Sequence, residues 1–149
     1  MPLYFAYGAN MNVGAMARRC PRSKALGPAR LERHRLQVMR EGWLTAAPDP
    51  RSAVHGVLWG LALSDVAALD RYEGLPQGLY AKATQMVITR VGVKRALVYF
   101  GTNGGPGRAL PDYLAAVIAA ARSWPLPTVA IETLEGLGRP IDNRRSIGQ

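Results

Sequence analysis

Short runs of residues with high β-propensity, each closed by a glycine or a proline, dominate the first two-thirds of the chain. Runs of this kind are typical of buried strands that enter tight turns. Gly92 separates two of them and predicts a β-hairpin, whereas two prolines within residues 42–51 predict a loop. We therefore expect strands over residues 3–7, 54–63, 80–90 and 93–100, and one or two strands within residues 25–39.

Helical signals lie between and after these strands. Asn10 or Asn12 can cap a first short helix. Ser64 suits an N-cap, Gly74 suits the position just after a helix, and Pro111 suits a first helical turn. Strands mixed with helices in this order predict an α+β fold whose sheet can curl into a barrel. The predicted helices cover residues 13–19, 65–73, 111–123 and 128–137.

The size and composition of the chain favour one domain. A length of 149 residues, with 48% of them hydrophobic, is enough to bury a core without a disulfide or a metal ion. We expect the domain to cover residues 1–138 and a basic, mobile tail to follow over residues 139–149. The apolar stretches are far shorter than the roughly 18–20 residues that a bilayer requires, which excludes a membrane span. A homodimer is one of the arrangements that the sequence allows.

The single cysteine and the two histidines exclude further classes of protein. Cys20 cannot form an intramolecular disulfide, and we expect it to be a small buried residue. His34 and His55 do not have the spacing of metal ligands, so metal catalysis is disfavoured. One cysteine agrees with a reducing compartment, and no secretory signal follows Met1, so the expected location is cytoplasmic.

The net charge of +9 raises the question of a nucleic-acid partner. No predicted helix carries a continuous basic stripe, and no aromatic-rich nucleic-acid motif is present in the sequence. We therefore favour a solvated basic surface, and nucleic-acid binding is kept as the least favoured of the functional hypotheses.

The segment from Tyr7 to Asn12 is the first candidate for chemistry. Gly8 and Ala9 have almost no side chain, so a ligand can approach their backbone, and the helix that follows leaves N–H groups unpaired. Such a turn suits an anion or an oxyanion. On local grounds a purely structural turn with an asparagine cap explains the same residues. The Gly-Lys-Ser/Thr pattern of a phosphate-binding P-loop is absent.

Glu73 is the second candidate for chemistry. It continues the apolar helix stripe of Val66 and Leu69, so its carboxylate should point inward. Partial burial and the negative end of the helix dipole both predict a raised pKa for this carboxyl, which suits a base near neutral pH. The alternative is a side chain that lies in solvent beside Arg71 or Lys82. The two interpretations differ in whether the side chain is buried.

The remaining polar groups give weaker signals. Tyr113 lies in the first turn of a predicted helix and Tyr80 at the start of a predicted strand, where each ring can either pack in the core or line a cavity. Asp70 lies between polar neighbours and is predicted to be a surface residue. No serine lies in a nucleophile-elbow pattern, so covalent catalysis has no strong candidate.

Taken together, these segments resemble the gamma-glutamylcyclotransferase-like (AIG2-like) family. The sequence Tyr-Phe-Ala-Tyr-Gly-Ala-Asn-Met at residues 4–11 resembles the N-terminal substrate loop of that family, usually written Tyr-Gly-Ser-Asn. The likeness covers residues 3–137, and the conjunction of its motifs in order is specific although each motif alone is not. It continues through residues 19–21, 55–59 and 69–74, Tyr80 and residues 111–114.

The resemblance implies a small mixed β-barrel with flanking helices. It also implies an enzyme, without a cofactor or a metal, that releases 5-oxoproline from a gamma-glutamyl amine or peptide with Glu73 as general acid/base. The N–H groups of the loop would bind either the developing oxyanion or the glutamyl α-carboxylate. Ala9 stands where the family has serine, so the alternative is a non-catalytic small-molecule-binding domain of the same fold. The residues implied to bind the substrate are Tyr7, Gly8, Ala9, Asn10, Met11, Tyr80 and Tyr113.

Overall fold

Five strands form the centre of the structure, a computed structural model that describes residues 1–139. They are β1 (Leu3–Ala6), β2 (Lys24–Val38), β3 (Leu44–Gly60), β4 (Tyr80–Thr89) and β5 (Gly92–Gly101). They close into a barrel in the order β1-β3-β2-β4-β5. Tyr4 of β1 lies opposite Trp59 in an antiparallel pairing with β3, and opposite Leu97 in a parallel pairing with β5. The barrel is therefore mixed, and the expected fold class is confirmed.

The long hairpin of β2 and β3 contains the largest departure from the predicted strands. The prediction of a loop over residues 42–51 is wrong, because β3 begins at Leu44 and continues through both prolines. The pairing changes register between Glu32 and His34, so that residues 49–52 bulge out opposite a single residue of β2. A proline lacks the N–H that a strand ladder uses, and it is tolerated at such an irregularity.

Four α-helices lie within residues 1–139, at the positions that the sequence predicts. The Asn12 side chain caps the first of them by accepting a hydrogen bond from the Ala15 N–H at 2.7 Å. Gly74 adopts a φ of +68° just after the second helix, which confirms the predicted glycine stop. The helices are α1 (Val13–Arg19), α2 (Leu63–Tyr72), α3 (Pro111–Arg122) and α4 (Thr128–Leu137).

Ser64 does not cap α2, contrary to the prediction. The helix begins at Leu63, and Ala62 occupies the N-cap position without a side-chain hydrogen bond. Asp65, in the first turn, is buried. Its carboxylate accepts hydrogen bonds from the Arg22 N–H and from the Ser23 hydroxyl, both at 3.0 Å. Tertiary contacts of a buried aspartate thus take the place of a local cap at this helix start.

One hydrophobic cluster joins the barrel to the helices. Phe5 of β1, Met16 of α1, Leu69 of α2 and Val117 of α3 are all fully buried in it. Cys20 belongs to the same cluster, as predicted for a small buried residue. Burying a large apolar side chain stabilises the fold by about 1.5–3 kcal/mol. The cluster therefore fixes β1, and with it the turn that follows β1.

The backbones of β1 and β3 approach each other closely at Gly56. A methyl group at Gly56 would lie 2.2 Å from the Ala6 carbonyl oxygen and 3.0 Å from the Phe5 ring. Carbon atoms do not pack at 2.2 Å from a carbonyl oxygen, so this position requires glycine.

Some of the predicted features lie beyond residue 139, outside the part of the chain that the structure describes. Apart from Arg139, the predicted tail over residues 139–149 lies outside them, and the domain boundary at residue 138 stays a prediction. Within residues 1–139 no helix is both long and apolar enough to cross a membrane. In the same part of the chain, no three or more His, Cys, Asp or Glu residues are grouped so that they could hold a metal ion.

Candidate active site

A cavity of about 160 Å³ opens beside the ends of β1 and α2. All six tyrosines of the chain line it. Glu73 is the only charged residue of its wall in the part of the chain that the structure describes. The cavity therefore combines an aromatic, hydroxyl-rich wall with one carboxylate. The residues that line it are Tyr4, Phe5, Tyr7, Gly8, Ala9, Asn10, Trp43, Leu44, Tyr72, Glu73, Leu79, Tyr80, Tyr99 and Tyr113.

The turn after β1 forms one side of the cavity. β1 ends at Ala6, and a short 3-10 helix over Ala9–Met11 leads into α1. The N–H of Met11 donates to the Gly8 carbonyl at 3.1 Å, which holds the turn closed. A methyl group on Gly8 would lie 3.1 Å from the Tyr113 hydroxyl, closer than ordinary van der Waals contact. Glycine at this position therefore lets a tyrosine hydroxyl approach the main chain.

The structure brings most of the predicted site residues together. Met11 is the exception, because its side chain is buried in the core and does not line the cavity. Its carbonyl accepts a hydrogen bond from the Trp124 indole N–H at 2.9 Å. The Met11 side chain therefore has a role in packing, and a substrate contact of this residue stays a prediction. The predicted residues that line the cavity are Tyr7, Gly8, Ala9, Asn10, Glu73, Tyr80 and Tyr113.

Glu73 directly follows the last residue of α2 and lines the cavity. Its backbone N–H donates to the carbonyl of Leu69 at 3.0 Å, so Glu73 completes the last helical turn next to a fully buried residue. Gly74 then turns the chain away through its left-handed conformation. The Glu73 side chain thus points inward, and does not lie in solvent beside Arg71 or Lys82.

The electrostatic surroundings of Glu73 favour a carboxyl that titrates near neutral pH. Burial raises the pKa of Glu73 to about 7. The positive charge of Arg19 and the Tyr4 hydroxyl act in the opposite direction, because both stabilise the carboxylate. With this pKa, both protonation states are populated near pH 7. Such a group can accept a proton and return it, as acid/base catalysis requires.

Polar contacts near Glu73 connect the turn after β1 to the end of α2. The buried Asn10 donates its amide to the Tyr4 hydroxyl at 3.1 Å, and its side-chain oxygen accepts a hydrogen bond from Arg19. The Arg19 guanidinium also lies 3.7 Å from the centre of the Tyr72 ring, a cation–π contact. Arg19 therefore holds the turn after β1 and the end of α2 in their relative positions.

Tyr4, Tyr72, Tyr99 and Arg19 lie in or next to the site but are absent from the site residues predicted from the sequence. β1 is buried along nearly its whole length, so no alternation marks Tyr4 as a cavity residue. One signal for the tyrosines is nevertheless present in the composition, which has six tyrosines against two phenylalanines. A buried hydroxyl needs a hydrogen-bond partner, so such an excess indicates a polar cavity rather than a purely apolar core.

Asp70 is partly buried, and the predicted surface role is corrected accordingly. Its carboxylate accepts a hydrogen bond from the Tyr99 hydroxyl and pairs with Lys82 at 3.0 Å. The Asp70 side chain is 26% exposed. Since Tyr99 lines the cavity, this ion pair orients one of the hydroxyls in the cavity wall.

The raised pKa of Glu73 predicts a loss of stability at high pH. A carboxyl with a pKa of 4.5 in the unfolded chain and about 7 in the folded protein binds its proton more tightly in the folded state. Its contribution is fully present below pH 4.5 and is lost as the pH rises through about 7, by up to about 1.4 kcal/mol per pH unit. We expect the Tm of the wild type, relative to that of Glu73→Gln, to fall over this interval. A constant difference between the two proteins would contradict the burial of this carboxyl.

Comparison with known proteins gives a consistent result for sequence and fold. Residues 4–120 match the family model described as gamma-glutamyl cyclotransferase, AIG2-like. A protein of Mus musculus named gamma-glutamylcyclotransferase is 30% identical, over 91% of this chain and 78% of its own length. A Homo sapiens protein of the same name is 28% identical over the same shares. A solved structure named gamma-glutamyl cyclotransferase matches with a TM-score of 0.85 and 25% identity, covering 98% of this chain and 96% of that one.

Proposed function

We propose, from the premise that this chain belongs to the gamma-glutamyl cyclotransferase, AIG2-like, family, that it releases 5-oxoproline from gamma-glutamyl amines or peptides. The protein is an enzyme of the gamma-glutamylcyclotransferase kind. One observation carries the proposal for its chemistry: a single carboxylate, with a pKa of about 7, lies in a cavity whose wall is otherwise uncharged within residues 1–139.

The proposed reaction is an intramolecular aminolysis. The α-amine of the glutamyl group attacks the γ-carbonyl carbon of the same group, and a new C–N bond closes the five-membered lactam. The amide C–N bond to the leaving amine breaks, and no water is consumed. A cavity that holds the glutamyl chain curled supplies proximity, which lowers a barrier by about 7–11 kcal/mol in well-oriented systems.

Glu73 moves the proton that this reaction must transfer. The α-amine arrives as an ammonium ion and cannot attack until a base removes its proton. The Glu73 carboxylate takes that proton, and the resulting carboxylic acid gives it to the departing nitrogen. The attacking nitrogen loses a second proton as the lactam N–H forms, and the leaving amine takes up this proton when it is released as an ammonium ion. Each turnover thus returns Glu73 to its starting state. A pKa of about 7 suits both steps, because neither protonation state is strongly favoured near neutral pH.

The turn after β1 and the buried tyrosines hold the glutamyl group in this proposal. The hydroxyls of Tyr7 and Tyr80 donate to backbone carbonyls, which fixes both rings. Their oxygens can then accept hydrogen bonds from the substrate ammonium. Gly8 and Ala9 present main chain to the cavity. Ala9 has no hydroxyl, so position 9 of this chain contacts the substrate through its backbone and methyl group.

The mouth of the cavity favours a particular class of leaving amine. Among the apolar residues of the wall, Tyr72 is exposed and Trp43 and Leu79 are partly exposed. Among the described residues, the wall offers no carboxylate besides Glu73, and Arg19 lies against the Tyr72 ring. A polycationic leaving amine therefore finds no second acidic partner. A neutral or aromatic amine can pack against the rings.

A panel of gamma-glutamyl compounds tests this function. We expect wild type to release 5-oxoproline and the free amine in equal amounts, measured by chromatography with mass detection. The value of kcat/KM for a gamma-glutamyl aromatic amino acid should exceed that for a gamma-glutamyl polyamine by about tenfold or more, because the aromatic leaving group contacts the rings at the mouth. The same aromatic compound with an acetylated α-amine is the control, and it should give no product.

The other outcomes of this panel identify the competing functions. Free glutamate in place of 5-oxoproline would indicate hydrolysis and contradict cyclisation. Thermal stabilisation by the compounds without turnover would favour a non-catalytic binding domain, the alternative that Ala9 suggests. Binding to DNA or RNA that weakens with salt, again without turnover, would favour the nucleic-acid hypothesis.

A further inference from the structure

The tyrosine hydroxyls of the cavity differ in what they can donate to a ligand. Tyr7 donates its proton to the Tyr99 carbonyl, and Tyr80 donates to the Leu44 carbonyl. The Tyr99 hydroxyl donates to the Asp70 carboxylate. The protons of these three hydroxyls are therefore committed to protein acceptors. Towards a substrate, their oxygens act as hydrogen-bond acceptors only.

The hydroxyls of Tyr4 and Tyr72 also have surroundings that do not favour donation to a substrate in the cavity. The Tyr4 hydroxyl accepts a hydrogen bond from the Asn10 amide at 3.1 Å, and it stabilises the carboxylate form of Glu73. Tyr72 is 43% exposed, and its ring lies against the Arg19 guanidinium. Its hydroxyl therefore belongs to the solvated mouth of the cavity rather than to its interior.

Tyr113 is the remaining tyrosine, and its hydroxyl is arranged as a donor. The hydroxyl oxygen accepts a hydrogen bond from the Leu44 N–H at 3.3 Å, and no protein atom within residues 1–139 accepts its proton. An edge contact with Trp43, with ring centres 4.8 Å apart, fixes the ring. Burial raises the pKa of Tyr113, so the proton stays on the hydroxyl at neutral pH. With its oxygen used as an acceptor, the hydroxyl can donate into the cavity.

The turn at Gly8 keeps the space beside this hydroxyl open. A Cβ at residue 8 would lie 3.1 Å from the Tyr113 oxygen, so any side chain there would crowd the position next to it. Glycine leaves that position free for an atom of the substrate.

We propose that Tyr113 donates a hydrogen bond to the γ-carbonyl oxygen of the substrate while negative charge builds on that oxygen. This inference rests on the proposed cyclotransferase function. The carbonyl oxygen is bonded to the same carbon as the two nitrogens that Glu73 serves, and Tyr113 and Glu73 line the same cavity. The substrate α-carboxylate would be repelled by the Glu73 carboxylate, whereas the carbonyl oxygen becomes anionic only as Glu73 takes up a proton.

The comparison of Tyr113→Phe with Tyr80→Phe tests the inference. Each variant loses one hydroxyl from the same cavity and one hydrogen bond to Leu44, to its N–H in one case and to its carbonyl in the other. We expect Tyr113→Phe to lower kcat for 5-oxoproline release by about 100-fold with little change in KM, as for loss of an oxyanion donor. Tyr80→Phe removes an acceptor for the substrate ammonium, so it should raise KM and lower kcat much less, and the Tm of both variants reports the structural part of each effect.

Different results would overturn the inference and the function separately. Equal losses of kcat in the two variants, or a loss in Tyr113→Phe confined to KM, would overturn the role of Tyr113 and leave the function standing. No 5-oxoproline from wild type would overturn the function itself. If Tyr113→Phe does not fold, 3-fluorotyrosine at residue 113 keeps the acceptor for Leu44 and makes the hydroxyl more acidic. A kcat that changes on fluorination supports a donor, and an unchanged kcat overturns it.

Discussion

Replacing Glu73 with glutamine is expected to reduce kcat for 5-oxoproline release by about 100- to 10,000-fold. The amide has nearly the size of the carboxyl and can still form hydrogen bonds, but it cannot take the proton from the substrate ammonium. Because the tyrosines and the turn that hold the glutamyl group are unchanged, KM should change much less than kcat. Initial rates with one gamma-glutamyl substrate, measured for both proteins, check this expectation.

The pH dependence and a charge-matched variant make the Glu73 experiment specific. Wild-type kcat should rise with pH through the Glu73 pKa of about 7, since only the carboxylate can remove the proton. This rise should be absent from the residual activity of Glu73→Gln. Glu132→Gln changes the net charge equally on an exposed position of α4, and it should keep the wild-type kcat. Equal kcat in wild type and Glu73→Gln would remove Glu73 from the mechanism.

Gly56→Ala should strongly destabilise the fold although it adds only one methyl group. The new Cβ would lie 2.2 Å from the Ala6 carbonyl oxygen and 3.0 Å from the Phe5 ring, so β1 must move away from β3. Overpacking against backbone atoms costs about 3 kcal/mol, which lowers Tm by roughly 10 °C in a chain of this size. Calorimetry or thermal circular dichroism measures the shift.

Gly136→Ala is the matched control for Gly56→Ala. Gly136 lies in α4, and a Cβ built there meets nothing within 4 Å. Alanine has the higher helix propensity, so this variant should be more stable than wild type by about 0.5–1 kcal/mol. A Gly56→Ala protein as stable as wild type would show that the backbones of β1 and β3 separate without cost, and that the close approach is not required.

Elements with local signals could be predicted from the sequence, whereas those set by distant partners could not. Asn12, Gly74 and Pro111 each begin or end a helix through their own backbone chemistry. The path of β3 through Pro48 and Pro50 depends on the position at which its pairing with β2 changes register. The residues of β3 alone do not indicate that position. The two prolines therefore predicted a loop where the barrel has a bulged strand.

The residues of the candidate site also differ in whether a local sequence signal marks them. Glu73 could be found because a carboxylate interrupts an apolar helix stripe, and Gly8 because it follows a buried strand. Tyr99 and Arg19 could not be found, since they come next to Glu73 only when the barrel closes and α1 packs near α2. Met11 was predicted to bind substrate by its position in the loop, but the 3-10 helix turns its side chain into the core.

The position of β1 between β3 and β5 has a consequence for how the molecule is made. Tyr4 pairs with Leu97, so the first strand leaves the ribosome long before its last neighbour exists. At translation rates of about 5–20 residues per second, the nascent barrel stays open for roughly 5–20 s. Trp124, which anchors the Met11 carbonyl, follows later still. Catalytic competence is thus acquired late in synthesis, and a chain released before β5 is complete would be inert.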